Sequence, residues 1–187
     1  CDAVELFVNG KSFGEKRLEF PRQGTSGGWN RYANPRINPT VADLHLSWDV
    51  PYEPGVLRAV GKKNGQVVCT QEVRTTGPAA AIRLKIDRDL ISAARDIAHV
   101  EVQIVDTDGN IVPTAENLMS FSVEGQGRII GVDNGNPRDH DSYQAQQRRA
   151  FNGLCLAILQ SSNKSGKIRF TARSEGLKEA SVEIAVK

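Results

Sequence analysis

Apolar residues recur with a period of two along most of this chain. Val4, Leu6 and Val8 alternate with Glu5 and Phe7, and Leu44, Leu46, Trp48 and Val50 alternate with His45, Ser47 and Asp49. Ile82, Leu84 and Ile86 repeat the rhythm, as do Val100, Val102 and Ile104. Alternation of this kind predicts strands with one buried face, because successive side chains leave a strand on opposite sides. Val56–Val60, Gln66–Val73, Leu118–Val123, Ile129–Val132, Leu154–Leu159, Ile168–Ala172 and Ser181–Val186 are further predicted strands. Asn9-Gly10 and Asn64-Gly65 are the strongest two-residue hairpin signals, and Asp108-Gly109-Asn110 turns the chain again. Helix signals are poor, with Arg88–Ala93 predicting a single turn.

The rhythm breaks at Thr75-Thr76-Gly77-Pro78, where a Gly-Pro pair ends any regular element. We therefore expect two domains, 1–77 and 78–187, each near the usual domain size of about 100 residues. Short strands with Gly and Asn turns predict an all-β protein made of two immunoglobulin-like β-sandwich domains in tandem. Two loops exceed what a sandwich needs, Pro21–Ala42 and Asp133–Ala150, and loops of that length are commonly functional.

Between two predicted strands lies Trp48-Asp49-Val50-Pro51-Tyr52-Glu53-Pro54-Gly55. Pro51 and Pro54 fix their own φ and extend the residues before them, while Gly55 permits a reversal. The expectation is a rigid corner with the Tyr52 ring packed beneath it and Trp48 in the core.

Charge changes the picture mainly by exclusion. The 24 basic and 22 acidic residues nearly balance, with 10 against 8 in residues 1–77, so neither half carries the basic surface that nucleic acid requires. The longest apolar run, Leu154–Leu159, is six residues, against about 20 for a membrane span. Cys1-Asp2-Ala3 has neither the basic start nor the apolar core of a signal peptide, and the chain opens directly on a strand pattern without Met, which reads as an excised fragment. Cys69 and Cys155 sit in apolar strand patterns and read as small buried hydrophobes; a bridge between them is the alternative. Neither Cys nor His shows zinc-site spacing, and no metal or cofactor is implied.

Val4-Glu5-Leu6-Phe7-Val8-Asn9-Gly10-Lys11-Ser12 and Val50-Pro51-Tyr52-Glu53-Pro54-Gly55 resemble the first accessory domain that follows the catalytic barrel in glycoside hydrolase family 2, the β-galactosidase family. Val105-Asp106-Thr107-Asp108-Gly109-Asn110-Ile111-Val112-Pro113, Gly131-Val132-Asp133-Asn134-Gly135-Asn136-Pro137 and Phe151-Asn152-Gly153-Leu154 resemble the carboxy-terminal domain of the same enzymes. The resemblance implies a retaining glycosidase as parent, a periplasmic or secreted bacterial enzyme, with its own catalytic barrel as the partner of this chain. Catalysis in that family uses two glutamates about 5 Å apart on a barrel, which alone takes about 250 residues. Glu5, Glu53, Glu72, Glu101 and Glu124 match no catalytic motif, so no catalytic residue is assigned here.

Two polar constellations remain. Trp29, Arg31, Tyr32, Asn34 and Arg36 form a set that suits a sugar, with rings for stacking and planar donors for hydroxyls. The same residues also suit packing on their own domain or on the barrel. The carbohydrate reading makes the 22–40 loop a binding module, and the packing reading makes the chain a structural buttress. Asp133-Asn134-Gly135-Asn136-Pro137-Arg138-Asp139-His140-Asp141 is rich in oxygen ligands, but the spacing of a calcium hand is absent, and Asn-Gly and Asn-Pro serve turns directly; contact with a neighbouring domain is the other alternative to a metal loop. Arg148-Arg149 reads as a solvated strand edge or a contact with another domain.

Overall fold

The computed structural model describes residues 1–17 and 45–187. These residues form thirteen strands and no helix, in two compact units, Cys1–Thr75 and Thr76–Lys187. The chain is all-β, as the period-two pattern predicts.

The first unit holds β1 (Ala3–Val8), β2 (Lys11–Arg17), β3 (Val56–Lys63) and β4 (Gln66–Arg74), paired antiparallel in the order β2-β1-β3-β4. Both Asn-Gly hairpins are present. Asn9 and Gly10 have φ of 50° and 82°, and Asn64 and Gly65 have 52° and 79°, the left-handed pair that a twist-matched two-residue turn demands. On β1 Leu6 and Val8 are buried with a period of two, and Ala3 is buried out of that register. Lys62 on β3 reaches Glu5 on β1 at 2.7 Å and Glu15 on β2 at 3.0 Å, tying three strands together. Its ammonium donates to both carboxylates and holds them below their ordinary range.

The corner differs from expectation in two respects. Residues 45–50 keep their alternating burial but join no ladder. Lys16 Nζ donates to the Ser47 carbonyl at 2.6 Å, and the Trp48 indole donates to Gly14 O at 3.2 Å, so β2 holds this segment through side chains. Trp48 is half-buried there, with Lys16 over its ring, and is not in the core. Tyr52 is 79% exposed. The prolines make the corner rigid without needing the ring, because Asn9 clips it from beneath: its side chain donates to Pro54 O at 3.1 Å and accepts from Val56 N at 2.8 Å. Tyr52→Ala should therefore change stability by no more than about 0.5 kcal/mol in denaturant melts.

The second unit contains β5 (Ala81–Ile86), β6 (Leu90–Ile91), β7 (Ile97–Val105), β8 (Leu118–Gly125), β9 (Gly127–Asp133), β10 (Gln147–Arg149), β11 (Leu154–Ser161), β12 (Gly166–Arg173) and β13 (Ala180–Val186). They form two sheets, β10-β8-β12-β13-β6 and β5-β7-β11-β9. Alternate residues of both meet in one core. Val100, Val102 and Ile104 of β7 and Ala157 and Leu159 of β11 come from one sheet; Met119, Phe121, Ile168, Phe170 and Ile184 come from the other. The Phe121 and Phe170 rings lie 5.5 Å apart at 32°. This is a β-sandwich, with inward faces set by the period-two pattern. The segment expected to form a helical turn, Arg88–Ala93, supplies the short strand β6, which pairs parallel with β13. Strands β6 and β10 were not legible, being two and three residues long.

The cysteines also depart from expectation. Cys155 is buried on β11, but Cys69 is exposed on β4, and all three thiols are free. Burial raises the Cys155 thiol to about 12, against a small lowering from Arg148. A thiol reagent such as DTNB should thus titrate Cys1 and Cys69 in the native chain and reach Cys155 only after unfolding. Three rapid equivalents in native buffer would contradict this packing.

Candidate functional site

The loop between β9 and β10 is the most heavily cross-linked irregular segment of the second unit. Its sequence explains how it holds shape without a ladder. Asp133 Oδ1 accepts from Gly135 N, Asn134 Oδ1 from Asn136 N, Asn136 Oδ1 from Arg138 N, and Asp139 Oδ1 from Asp141 N, at 2.9–3.2 Å. Each short side chain captures the amide two residues on, the turn geometry for which Asn and Asp are favoured. One oxygen of each is thereby bonded to this loop's own backbone. Among the described residues no group of three His, Cys, Asp or Glu is arranged to hold a metal ion.

Under this loop lies Arg148, whose side chain is fully buried. Its Nη1 donates to the Asp141 carbonyl at 2.9 Å, while Nε and Nη2 face Asp139 at 3.3 Å and Asp133 at 3.5 Å. The Tyr143 ring caps the guanidinium at 4.9 Å from its centroid, with 56% of the residue still exposed. Asn134 completes the brace, donating to Asp139 Oδ2 at 2.6 Å and to the Arg149 carbonyl at 2.9 Å. The Asp141 amide bond, aided by Asn134 and Arg148, holds the Asp139 carboxyl below the usual range despite its partial burial. Sequence reasoning placed Arg148 at a solvated edge, and the structure overturns that. On β10 alternation sends Arg148 inward between exposed Gln147 and Arg149. The signal for it was the acidic, turn-rich loop upstream, whose Asp141 carbonyl and Asp133 and Asp139 carboxylates face the buried guanidinium.

A second buried charge sits at the other motif. Asp106 is 3% exposed and accepts from the amides of Gly77, Asp108 and Asn110 at 2.8–3.0 Å. Burial by itself would raise its carboxyl, but these amides outweigh it and hold the group below its ordinary range. The carboxylate thereby fixes the Asp108-Gly109 turn and the start of the unit. His99, on β7, is half exposed and pairs with Asp87 at 2.9 Å. Trp29, Arg31, Tyr32 and Arg36, expected to contact carbohydrate, lie outside the described residues, as does Asn34.

The turn-locked oxygens and the buried arginine brace hold this loop in one shape. Comparison with known proteins matches the chain to part of something larger. Residues 82–183 match the model of the glycoside hydrolase family 2 C-terminal domain 5, and residues 1–69 match a domain of unknown function (DUF4982). The chain belongs to glycoside hydrolase family 2. A β-galactosidase of Bacteroides ovatus, BoGH2A, is 39% identical over 99% of this chain but only 19% of its own length. The crystal structure of a family 2 glycosyl hydrolase from Bacteroides cellulosilyticus superposes with a TM-score of 0.84 at 34% identity, over 100% of this chain and 22% of that one. A β-glycosidase from Bacteroides vulgatus gives 0.84 at 33%, over 100% and 21%. The chain therefore spans about a fifth of the family 2 proteins it matches and corresponds to a C-terminal part of them.

Proposed function

We propose that this chain is a non-catalytic C-terminal accessory region of a retaining, β-galactosidase-like family 2 enzyme. Its two domains, divided at Gly77-Pro78 and both immunoglobulin-like, buttress the catalytic barrel of the same parent chain. The observation that carries this reading is the coverage: the relatives match nearly all of this chain, while it accounts for 19% of BoGH2A. Surface chemistry supports it. Every residue of the edge strand β4 is exposed, with Val67, Val68 and Val73 more than half so. An edge strand with uncovered valines is a liability in a free domain and suits a neighbouring domain.

The 187-residue chain should not turn over nitrophenyl β-galactoside or related glycosides. Turnover that vanishes on substituting a glutamate of this chain would sink the proposal. In the full-length parent, Val68→Glu should lower the melting temperature while leaving that of the isolated chain unchanged. Equal shifts in both would mean that β4 packs within its own domain.

A further inference from the structure

At the end of the sandwich where β9 begins, three loops enclose an open groove of about 420 Å³, a volume within the range of small-ligand sites. It lies roughly 20 Å from the Arg148 brace, the length of the seven-residue strand β9. Arg95 and Arg128 line it together with Gln160, Ser162 and Asn163, and among the described residues no carboxylate lines it. The Arg95 guanidinium has no acidic partner among the described residues, and Arg128 donates only to the neutral Gln160 Oε1 at 3.1 Å. The nearest carboxylate in sequence, Asp96, is committed to the amides of Ser92 and Ile97 and to Arg88.

The floor is preformed. Ser161 Oγ donates to Ser92 O at 2.6 Å, Gln160 Nε2 to Arg95 O at 3.2 Å, and Ser162 Oγ to Gln126 Oε1 at 2.9 Å, so the three loops are tied to one another. A Cβ at Gly125 would strike the Lys167 carbonyl, and one at Gly127 would strike Ile168, which fixes the turn that shapes one wall. Arg95 is held at φ 62°, in the left-handed region uncommon for its type.

We infer that this groove is a binding site for an acidic saccharide, a chain bearing carboxylate or sulfate groups. Two guanidiniums without competing carboxylates select an anion by paired N–H donation. Amide and hydroxyl side chains between them complement sugar hydroxyls. Among the described residues no aromatic lines the groove, so neutral sugars lack the stacking that would otherwise hold them. The choice of a saccharide over another organic anion rests on the reading of the parent as a glycosidase.

Isothermal titration of the 187-residue chain with hexagalacturonate, a sulfated galacto-oligosaccharide, neutral cellohexaose and inorganic sulfate tests this. At least one acidic oligosaccharide should bind at least tenfold more tightly than cellohexaose, and which one binds separates carboxylate from sulfate recognition. Arg95→Gln and Arg128→Gln, both at exposed positions, should each weaken that binding about tenfold with an unchanged melting temperature. The amide resonances of Gly125, Gly127 and Ser162 should shift on titration. Equal affinity for cellohexaose or for inorganic sulfate would overturn the inference. So would absence of binding together with a fall in the full-length enzyme's melting temperature on Arg95→Glu, which would make the groove an interdomain contact. Failure here leaves the accessory-region reading intact, because that reading is decided separately by the glycosidase assay.

Discussion

Replacing Arg148 with methionine should destabilise the second unit by about 3 kcal/mol, the scale for breaking a buried ion pair by removing one partner. Methionine keeps much of the apolar stem, so the loss comes from charge and hydrogen bonding rather than from an empty space. It leaves Asp139 without its cation and the Asp141 carbonyl without its donor. Asp133, about half exposed, is rescued by water and adds little. The double variant Arg148→Met/Asp139→Asn should recover part of the loss, because it removes the stranded carboxylate as well. Urea melts followed by far-ultraviolet circular dichroism, with hydrogen exchange at the β11 amides, measure both. A single variant within about 0.5 kcal/mol of the parent chain would show that the loop, and not the arginine, carries its own geometry.

The strands were legible because their period is local: Ala98, Val100, Val102 and Ile104 on Ile97–Val105 face the core of their own unit whatever the rest of the chain does. The two Asn-Gly hairpins were legible for the same reason, since the turn type demands those residues. What escaped depends on partners distant in sequence. Trp48 shows the alternation of a strand, yet it is held by Gly14 O, 34 residues away, and builds no ladder. Tyr52 sits between two prolines that predicted a packed corner. The actual clip is Asn9, 45 residues from Pro54, which sequence reasoning had assigned only to a turn. Arg148 carries the same lesson for the candidate site: the acidic loop was visible, but the inward direction of β10 depends on its register with β8. The groove has no motif at all, because Arg95 and Ser162 come from two separate loops and Arg128 from the start of β9.

Gly153→Ala should cost about 3 kcal/mol, and Gly135→Ala in the same unit only about 1 kcal/mol, although both glycines have left-handed backbones. Their φ values are 77° and 71°, so the conformational penalty for a side chain is nearly the same. The surroundings differ. Around Gly135 nothing lies within 4 Å of an added Cβ. At Gly153 the added Cβ would strike the Val112 carbonyl oxygen and stand 3.0 Å from Ile111 Cγ2. That carbonyl is backbone and cannot rotate aside, since Val112 N donates to Ile104 O at 2.9 Å and Gly153 N to Ala115 O at 3.0 Å. Relief must come from shifting the Asn152-Gly153 turn, which feeds β11 and accepts the Ile104 amide at 2.8 Å. The comparison between the two variants subtracts the common strain and leaves the cost of that close approach. Equal losses at both sites would show that the Val112 segment yields freely, and the fixed seating of this turn against it would have to be abandoned.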